Sequence, residues 1–227
     1  MSKISVGFVG TESFYDNYSL TYLDNMEDTC KSIWESEIED GSGDYEASFY
    51  VVDSSGIEIP ESALCGSPSN SSCTTRERAG YADDWLRTHK EFYYASYDVI
   101  IIGDYYNNRS DENRAIAQST AGTQTDKCCL LDIPEIEYDT SQSGSLWQDI
   151  GYSGVAAHEL MHMFLDESPG YEHRAYTDYY GDTSIQYDPD SKDWCAQDAT
   201  PNKVIEDVSW CTKGDVRDWI DNHSSRF

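Results

Sequence analysis

The 227-residue chain contains 38% hydrophobic and 13% aromatic residues, which suits one compact domain with a sizeable core and excludes intrinsic disorder. Its 43 acidic residues against 15 Lys and Arg give a formal net charge of -28, spread along the whole sequence, and this excludes nucleic acid as a partner because phosphates would be repelled. No apolar run approaches the length that crosses a bilayer, so we expect no membrane association.

Hydrophobic periodicity predicts alternating strands and helices over residues 1–165. Leu23, Met26 and Cys30 recur at helical spacing in the first helix. The four consecutive β-branched residues at 99–102 predict a buried strand. In chain order, the predicted elements are a strand at 4–10, helix 19–38, strand 47–53, helix 76–95, strand 97–105, a short edge strand at 114–120, strand 127–133 and a helix ending near Leu165.

The C-terminal part of the chain is predicted to be less regular. Residues 166–208 show little periodicity, and one short helix follows at about 213–222. We therefore predict an α+β fold (α/β/α-like) with a mixed sheet in residues 1–165 and a small irregular subdomain in residues 166–227, the two forming one domain.

The evenly spread acidic residues indicate a protein that stays soluble where salt screens self-repulsion, so we predict adaptation to high salt. An ordinary acidic secreted protein is the alternative. The many carboxylates could also bind Ca2+, although the chain has no EF-hand spacing.

The seven Cys residues lack a zinc-ribbon spacing and are better explained by disulfides, which favour an extracellular protein. The Ser-, Gly- and Pro-rich segment 54–74 is predicted to be a surface loop closed by a disulfide between Cys65 and Cys73. The odd count leaves one thiol free or intermolecular. The first residues are too short for a signal peptide, so we expect a secreted protein whose leader is not present in this chain.

The strongest functional signal is the segment VAAHELMHMF, which places His158 and His162 four residues apart. On a helix these side chains project from one face, where two imidazoles can share one tetrahedral Zn2+. Glu159 points to the neighbouring side, where it can hold a zinc-bound water and take its proton during attack on a carbonyl. We predict His158 and His162 as zinc ligands and Glu159 as the catalytic base.

A catalytic zinc requires a third protein ligand and an open position. His173 lies shortly downstream in a Pro-Gly turn region and is the favoured third ligand. Four carboxylates remain competitors: Asp166, Glu172, Asp178 and Asp182.

Several segments, taken in chain order together with the HELMH motif, make the chain resemble the metzincin clan of zincin metallopeptidases. The resemblance is closest to the reprolysin (adamalysin) type. YDVIIIGDY resembles the central strand, RAIAQSTAG at 114–122 the edge strand that pairs with extended substrate, and KCCLLDI the strand before the active-site helix. Segments WCAQD and SWCTKGDVRDWI resemble the Cys-containing turn, second Cys and closing helix. The resemblance covers most of the chain in layout, but it is sharp only over 155–162 and 193–220.

The resemblance implies a twisted sheet of about five strands, a zinc cleft, endopeptidase activity and a Cys195–Cys211 disulfide. The chain departs from the clan pattern after the second His. The positions of the clan's Gly and third ligand carry Leu165 and Ser168, and the turn at 195–197 contains no Met. An Asp ligand in a D-x-x-Y-G-like segment, as in another zincin branch, would correspond to Asp178.

The resulting hypothesis is a secreted, salt-adapted, monomeric zinc endopeptidase acting on protein or peptide substrates. Substrate would lie extended along residues 115–120 by strand addition. One alternative is a non-catalytic zinc-binding module, in which four protein ligands would occupy every coordination position of the metal. The other is a zinc hydrolase that acts on non-peptide substrates.

Overall fold

In this computed structural model, the described residues are 3–65, 73–106, 115–117, 121, 125–143, 145, 148–165 and 203–227, with backbone alone for three short strands in between. The fold is mixed α/β. The strands are β1 (Ile4–Thr11), β2 (Ala47–Val51), β3 (Glu58–Ile59), β4 (Val99–Asp104), β5 (Ala115–Ala117), β6 (Cys128–Asp132), β7 (Ala175–Thr177), β8 (Asp182–Thr183), β9 (Trp194–Gln197) and β10 (Lys203–Val204). The α-helices are α1 (Glu12–Asn17), α2 (Thr21–Ile33), α3 (Thr75–His89), α4 (Glu91–Ser96), α5 (Ile133–Ser141), α6 (Gly151–His162) and α7 (Trp210–Asn222).

The main sheet has six strands, of which five follow the order β2-β1-β4-β6-β5 and β3 pairs with the end of β1. The pairs among β1, β2, β4 and β6 are parallel, and β5 runs antiparallel to β6 at the edge. The sixth strand is the two-residue β3, which lies inside the segment expected to be loop and is too short to produce a period-2 pattern.

The alternating side chains of the sheet form two hydrophobic cores. One face packs with α2, α6 and α7, through residues such as Phe8, Ile101 and Leu131. The other face packs with α3, through residues such as Ile100 and Leu130. The sheet therefore separates α3 from α6, and both helices reach its β5 edge.

Most predicted elements are present, but three helical predictions need correction. Helices α1 and α5 were not predicted, since each is short. The helix expected at 76–95 is interrupted at Lys90, whose φ of -128 and ψ of 43 end α3. After this interruption Phe92 is 89% exposed, while Tyr94 is buried.

The C-terminal part is more regular than predicted. Strands β7, β8, β9 and β10 form a second sheet in the order β10-β8-β7-β9. Strands of two to four residues carry no readable periodicity, which explains why the sequence indicated an irregular segment. Helix α7 contributes Val216, Trp219 and Ile220 to the core that also holds α2 and α6. The division at residue 165 remains a prediction.

The cysteines differ in part from expectation. Cys65 and Cys73 form the predicted disulfide, with Cα atoms 6.0 Å apart. Cys211 is disulfide-bonded as well, and the side chain of its predicted partner, Cys195, lies outside the described residues. The odd number of cysteines indicated one free thiol, but Cys30, Cys128 and Cys129 are all free. Each of the three is buried in one of the hydrophobic cores.

No helix among the described residues is both long enough and apolar enough to cross a membrane.

Candidate metal centre

Helix α6 carries the His-Glu motif along the β5 edge of the main sheet. It begins at Gly151, whose φ of +52 lies in the left-handed region that favours glycine. Its buried face packs against α2, α5 and the core side of the sheet. Just beyond its end, the Met163 carbonyl accepts a hydrogen bond of 2.8 Å from the Ala121 N–H. This hydrogen bond fixes the C-terminal end of the helix to the segment that follows the edge strand.

His158 and His162 lie one turn apart on this helix with their rings facing each other. Their Nε2 atoms are 2.9 Å apart, and the ring centroids are 4.6 Å apart at an interplanar angle of 72°. His158 is buried, whereas His162 is partly exposed. The two rings therefore lie on one face of the helix, as their spacing of four residues predicts, and their role as zinc ligands stays a prediction.

The distance between the two nitrogens provides a test of whether the pair fits a metal ion. Two nitrogens bound to one zinc at about 2.0–2.1 Å each must lie within about 4.2 Å of each other. The observed 2.9 Å lies within this limit; it is also the length of a hydrogen bond between the two rings, and a tetrahedral ion would set the nitrogens about 3.3 Å apart. Neutral imidazoles are also common zinc ligands, so the donor chemistry and the spacing both fit the ion.

Glu159 is buried between α6 and the edge strand. Its backbone carbonyl accepts from the Cys129 thiol at 3.7 Å, and its carboxylate accepts a hydrogen bond from the Ala117 N–H. Burial raises the pKa of Glu159 to about 7, and the Ala117 hydrogen bond and the positive charge of Arg76 offset only part of that rise. A carboxyl group with such a pKa can exchange protons near neutral pH.

Strand β5 is the last strand of the main sheet on this side, among the described residues, and it lies beside Glu159. In the described structure it pairs with β6 on one side and with no strand on the other. Antiparallel residues direct both N–H and C=O either to the partner strand or away from it. Because the Ala117 N–H donates to Glu159, we infer that the Ala117 carbonyl also points away from β6, toward the open edge.

Most candidates for the third zinc ligand lie outside the described residues. The favoured candidate, His173, lies outside the described residues, as do Asp166, Glu172 and Asp178. Asp182 is described by its backbone alone, in β8. His173 therefore stays a prediction, with the four carboxylates as its competitors.

Another cluster in the described part of the chain has the spacing of metal ligands. Cys65, Cys73 and Glu77 hold donor atoms within 4.8 Å of one another. The two sulfurs are joined in a disulfide, however, and metals bind thiolates. We therefore do not assign a metal to this cluster, and bound Ca2+ remains a prediction.

No protein-family model matches the chain, and no curated protein matches it.

Two residues of this site were not found by sequence analysis. Ala117 contributes through its backbone N–H, which carries no side-chain signal. Arg76 belongs to α3, more than eighty positions before Glu159, and its charge reaches the carboxylate because α3 packs on the same edge strand. Nothing in the local sequence around Arg76 indicates this proximity.

Proposed function

We propose that the chain is a zinc-dependent endopeptidase with a zincin fold, secreted and adapted to salt. The observation that carries the proposal is the convergence of His158 and His162 beside the buried Glu159 at an open strand edge. The antiparallel edge strand next to the motif helix supports the resemblance to metzincins. The net charge of -28 and the disulfides support the salt-adapted and extracellular parts of the proposal.

In this mechanism, His158 and His162 would hold the zinc ion together with a third ligand, for which His173 is the candidate. Bound zinc supplies Lewis acidity, which lowers the pKa of water and polarises a peptide carbonyl. The Glu159 carboxylate accepts the proton of the attacking water and passes it to the leaving amine. The Ala117 N–H fixes the orientation of that carboxylate.

The peptide substrate would lie along the open edge of β5. Its backbone would continue the sheet, with the Ala117 carbonyl accepting from a substrate N–H. This geometry favours an extended peptide, and thus an endopeptidase, over a compact non-peptide substrate.

Replacing Glu159 by Gln tests the proposal directly. We expect E159Q to retain one zinc per chain by elemental analysis, while casein hydrolysis falls by about 10²- to 10⁴-fold because the proton acceptor is lost. The control is E137Q on α5, whose carboxylate accepts from Tyr18 and Tyr22 away from the motif and which should keep full activity.

Two results would overturn the proposal. One is casein cleavage by E159Q at the rate of the natural protein, and the other is natural protein purified without stoichiometric zinc. Dialysis against a chelator followed by zinc addition should remove and then restore activity. Zinc that is retained without any hydrolysis of casein or a peptide library would instead favour a closed, four-ligand structural site.

A further inference from the structure

Cys129 connects the main sheet to the motif helix through its side chain. It lies in β6, is fully buried, and belongs to the hydrophobic core that also contains α6. Its Sγ donates to the backbone carbonyl of Glu159 at 3.7 Å. A thiol in apolar surroundings keeps its proton at neutral pH and is a weak donor. The contact therefore reaches, through a modest hydrogen bond, the residue that the proposed mechanism uses as its proton acceptor.

The Glu159 carbonyl lies where α6 changes its hydrogen-bond pattern. In a regular α-helix this carbonyl would accept from the N–H of Met163, four residues later. Here the Met163 N–H donates to the Leu160 carbonyl at 3.2 Å, and the next two N–H groups also donate three residues back. Such a tightened last turn is frequent at helix ends and has poorer hydrogen-bond geometry. The Cys129 thiol thus adds a donor at the carbonyl from which the usual helical donor has turned away.

A second contact holds the other end of the same residue. Ala117 of β5 lies directly opposite Cys129 in the antiparallel register of β5 and β6. Its backbone N–H donates to the Glu159 carboxylate, while the Cys129 thiol donates to the Glu159 backbone. One cross-strand pair therefore holds both the backbone and the side chain of Glu159. This matters because proton transfer slows when the acceptor departs from its productive geometry.

We propose that Cys129 is a positioning residue, whose thiol holds the Glu159 backbone so that the carboxylate stays aligned with the attacking water. The inference rests on the proposed endopeptidase function and adds a residue to its machinery. Cys129 is buried in the core and acts only through Glu159, so it contributes to the chemical step and not to substrate binding. We therefore expect its loss to lower kcat and to leave KM unchanged.

The test compares serine and alanine at position 129, because these two side chains differ by one hydroxyl. C129S keeps a donor, so its kcat on a fluorescence-quenched peptide should lie within about two-fold of the natural value. C129A loses the donor, and its kcat should be about two- to five-fold below that of C129S, the size expected of one weak hydrogen bond. Equal kcat values in the two variants would overturn the inference while leaving the endopeptidase proposal intact.

C30A and C30S are the matched controls. Cys30 is a free, fully buried cysteine of α2 in the same hydrophobic core, so these variants remove the same sulfur from a similar environment. They should lower the thermal midpoint, as C129A does, but leave kcat and KM unchanged. Every variant should retain one zinc per chain. A fall in kcat in C30A that matches the fall in C129A would show that lost packing explains the effect, and it would overturn the inference.

Failure of the endopeptidase proposal can be recognised separately. If the natural protein cleaves neither casein nor a mixed peptide library, the proposed activity is wrong. Infrared spectroscopy then measures the hydrogen bond itself, with the S–H stretching band of Cys129 assigned by subtracting the spectrum of C129S. A band at lower frequency than that of a thiol in an apolar solvent would support the hold of Cys129 on Glu159. A band at the frequency of the free thiol would overturn it.

Discussion

Arg78 shows how strongly a single buried residue can depend on its partners. Its guanidinium is fully buried and binds Asp104 through Nε at 2.8 Å and Nη2 at 2.9 Å. It also donates to Glu61 and to the Cys65 carbonyl, and it lies 4.2 Å from the centroid of the Tyr106 ring. The network joins the disulfide loop and α3 to the end of the central strand β4.

We expect R78M to reduce the free energy of unfolding by about 3–5 kcal/mol, because the buried Asp104 carboxylate would lose its paired cation. Urea denaturation monitored by tryptophan fluorescence would measure the change. The matched control is R87M, which removes the exposed pair with Asp84 and should cost less than about 1 kcal/mol. Equal losses in the two variants would contradict a special role for burial.

At the scale of elements, helix α6 depends on the backbone conformation at its first residue. Gly151 has φ of +52, and a Cβ there would meet no atom within 4 Å. Steric space is therefore not the constraint; the backbone conformation is. Gly214, inside α7, also has open space where a Cβ would lie, but its φ is not positive.

The two glycines should respond to alanine in opposite directions. G151A should lower the free energy of unfolding by about 1–2 kcal/mol, the cost of a left-handed conformation for a residue with a Cβ. G214A should raise it by about 0.5–1 kcal/mol, because alanine loses less conformational freedom in a helix. Thermal or urea unfolding of both variants checks the pair, and a gain in stability from G151A would contradict the expectation.

Helix α7 attaches the C-terminal end of the chain to the first core. The Arg217 guanidinium donates to the Ile38 carbonyl at 2.8 Å, at the end of the helical segment Trp34–Ile38 that continues α2. Lys213 forms a salt bridge with Glu37 of the same segment. Trp219 packs edge-on against Phe164, which follows α6, with ring centroids 5.5 Å apart. The closing helix thereby supports the helix that carries the motif.

At the scale of the whole molecule, the net charge of -28 should make stability depend on salt. Raising ionic strength from about 0.1 M to 1 M shortens the Debye length from about 10 Å to about 3 Å and screens the repulsion between surface carboxylates. We expect the thermal midpoint to rise over this range, as measured by differential scanning calorimetry.

The control for this prediction separates screening from general salt effects on hydrophobic burial. Sulfate strengthens burial more than chloride does, whereas screening depends on ionic strength. A midpoint that rises in sodium chloride as well as in sodium sulfate at matched ionic strength would support charge screening. A thermal midpoint that rises in sulfate alone would contradict salt adaptation through surface charge.

The sequence predicted the elements whose pattern is local and long enough to read. Strand β1 carries an alternating apolar pattern, strands β4 and β6 carry continuous apolar runs, and helix α2 carries an apolar pattern at helical spacing; all four appear where expected. The spacing of His158 and His162 also determines by itself that the rings share one face, because helix geometry fixes neighbours at four residues. The short elements α1, α5 and β3 contain too few residues to establish a period.

What only the tertiary structure decided is which distant residues meet at the β5 edge. The Ala117 backbone N–H and the positive charge of Arg76, a residue of α3, both lower the pKa of Glu159, and neither effect leaves a pattern in the local sequence. The break at Lys90 likewise turned Phe92 outward, against its hydrophobic character. Side-chain spacing along one element is set by the backbone geometry of that element, whereas contacts between elements depend on how the whole sheet packs.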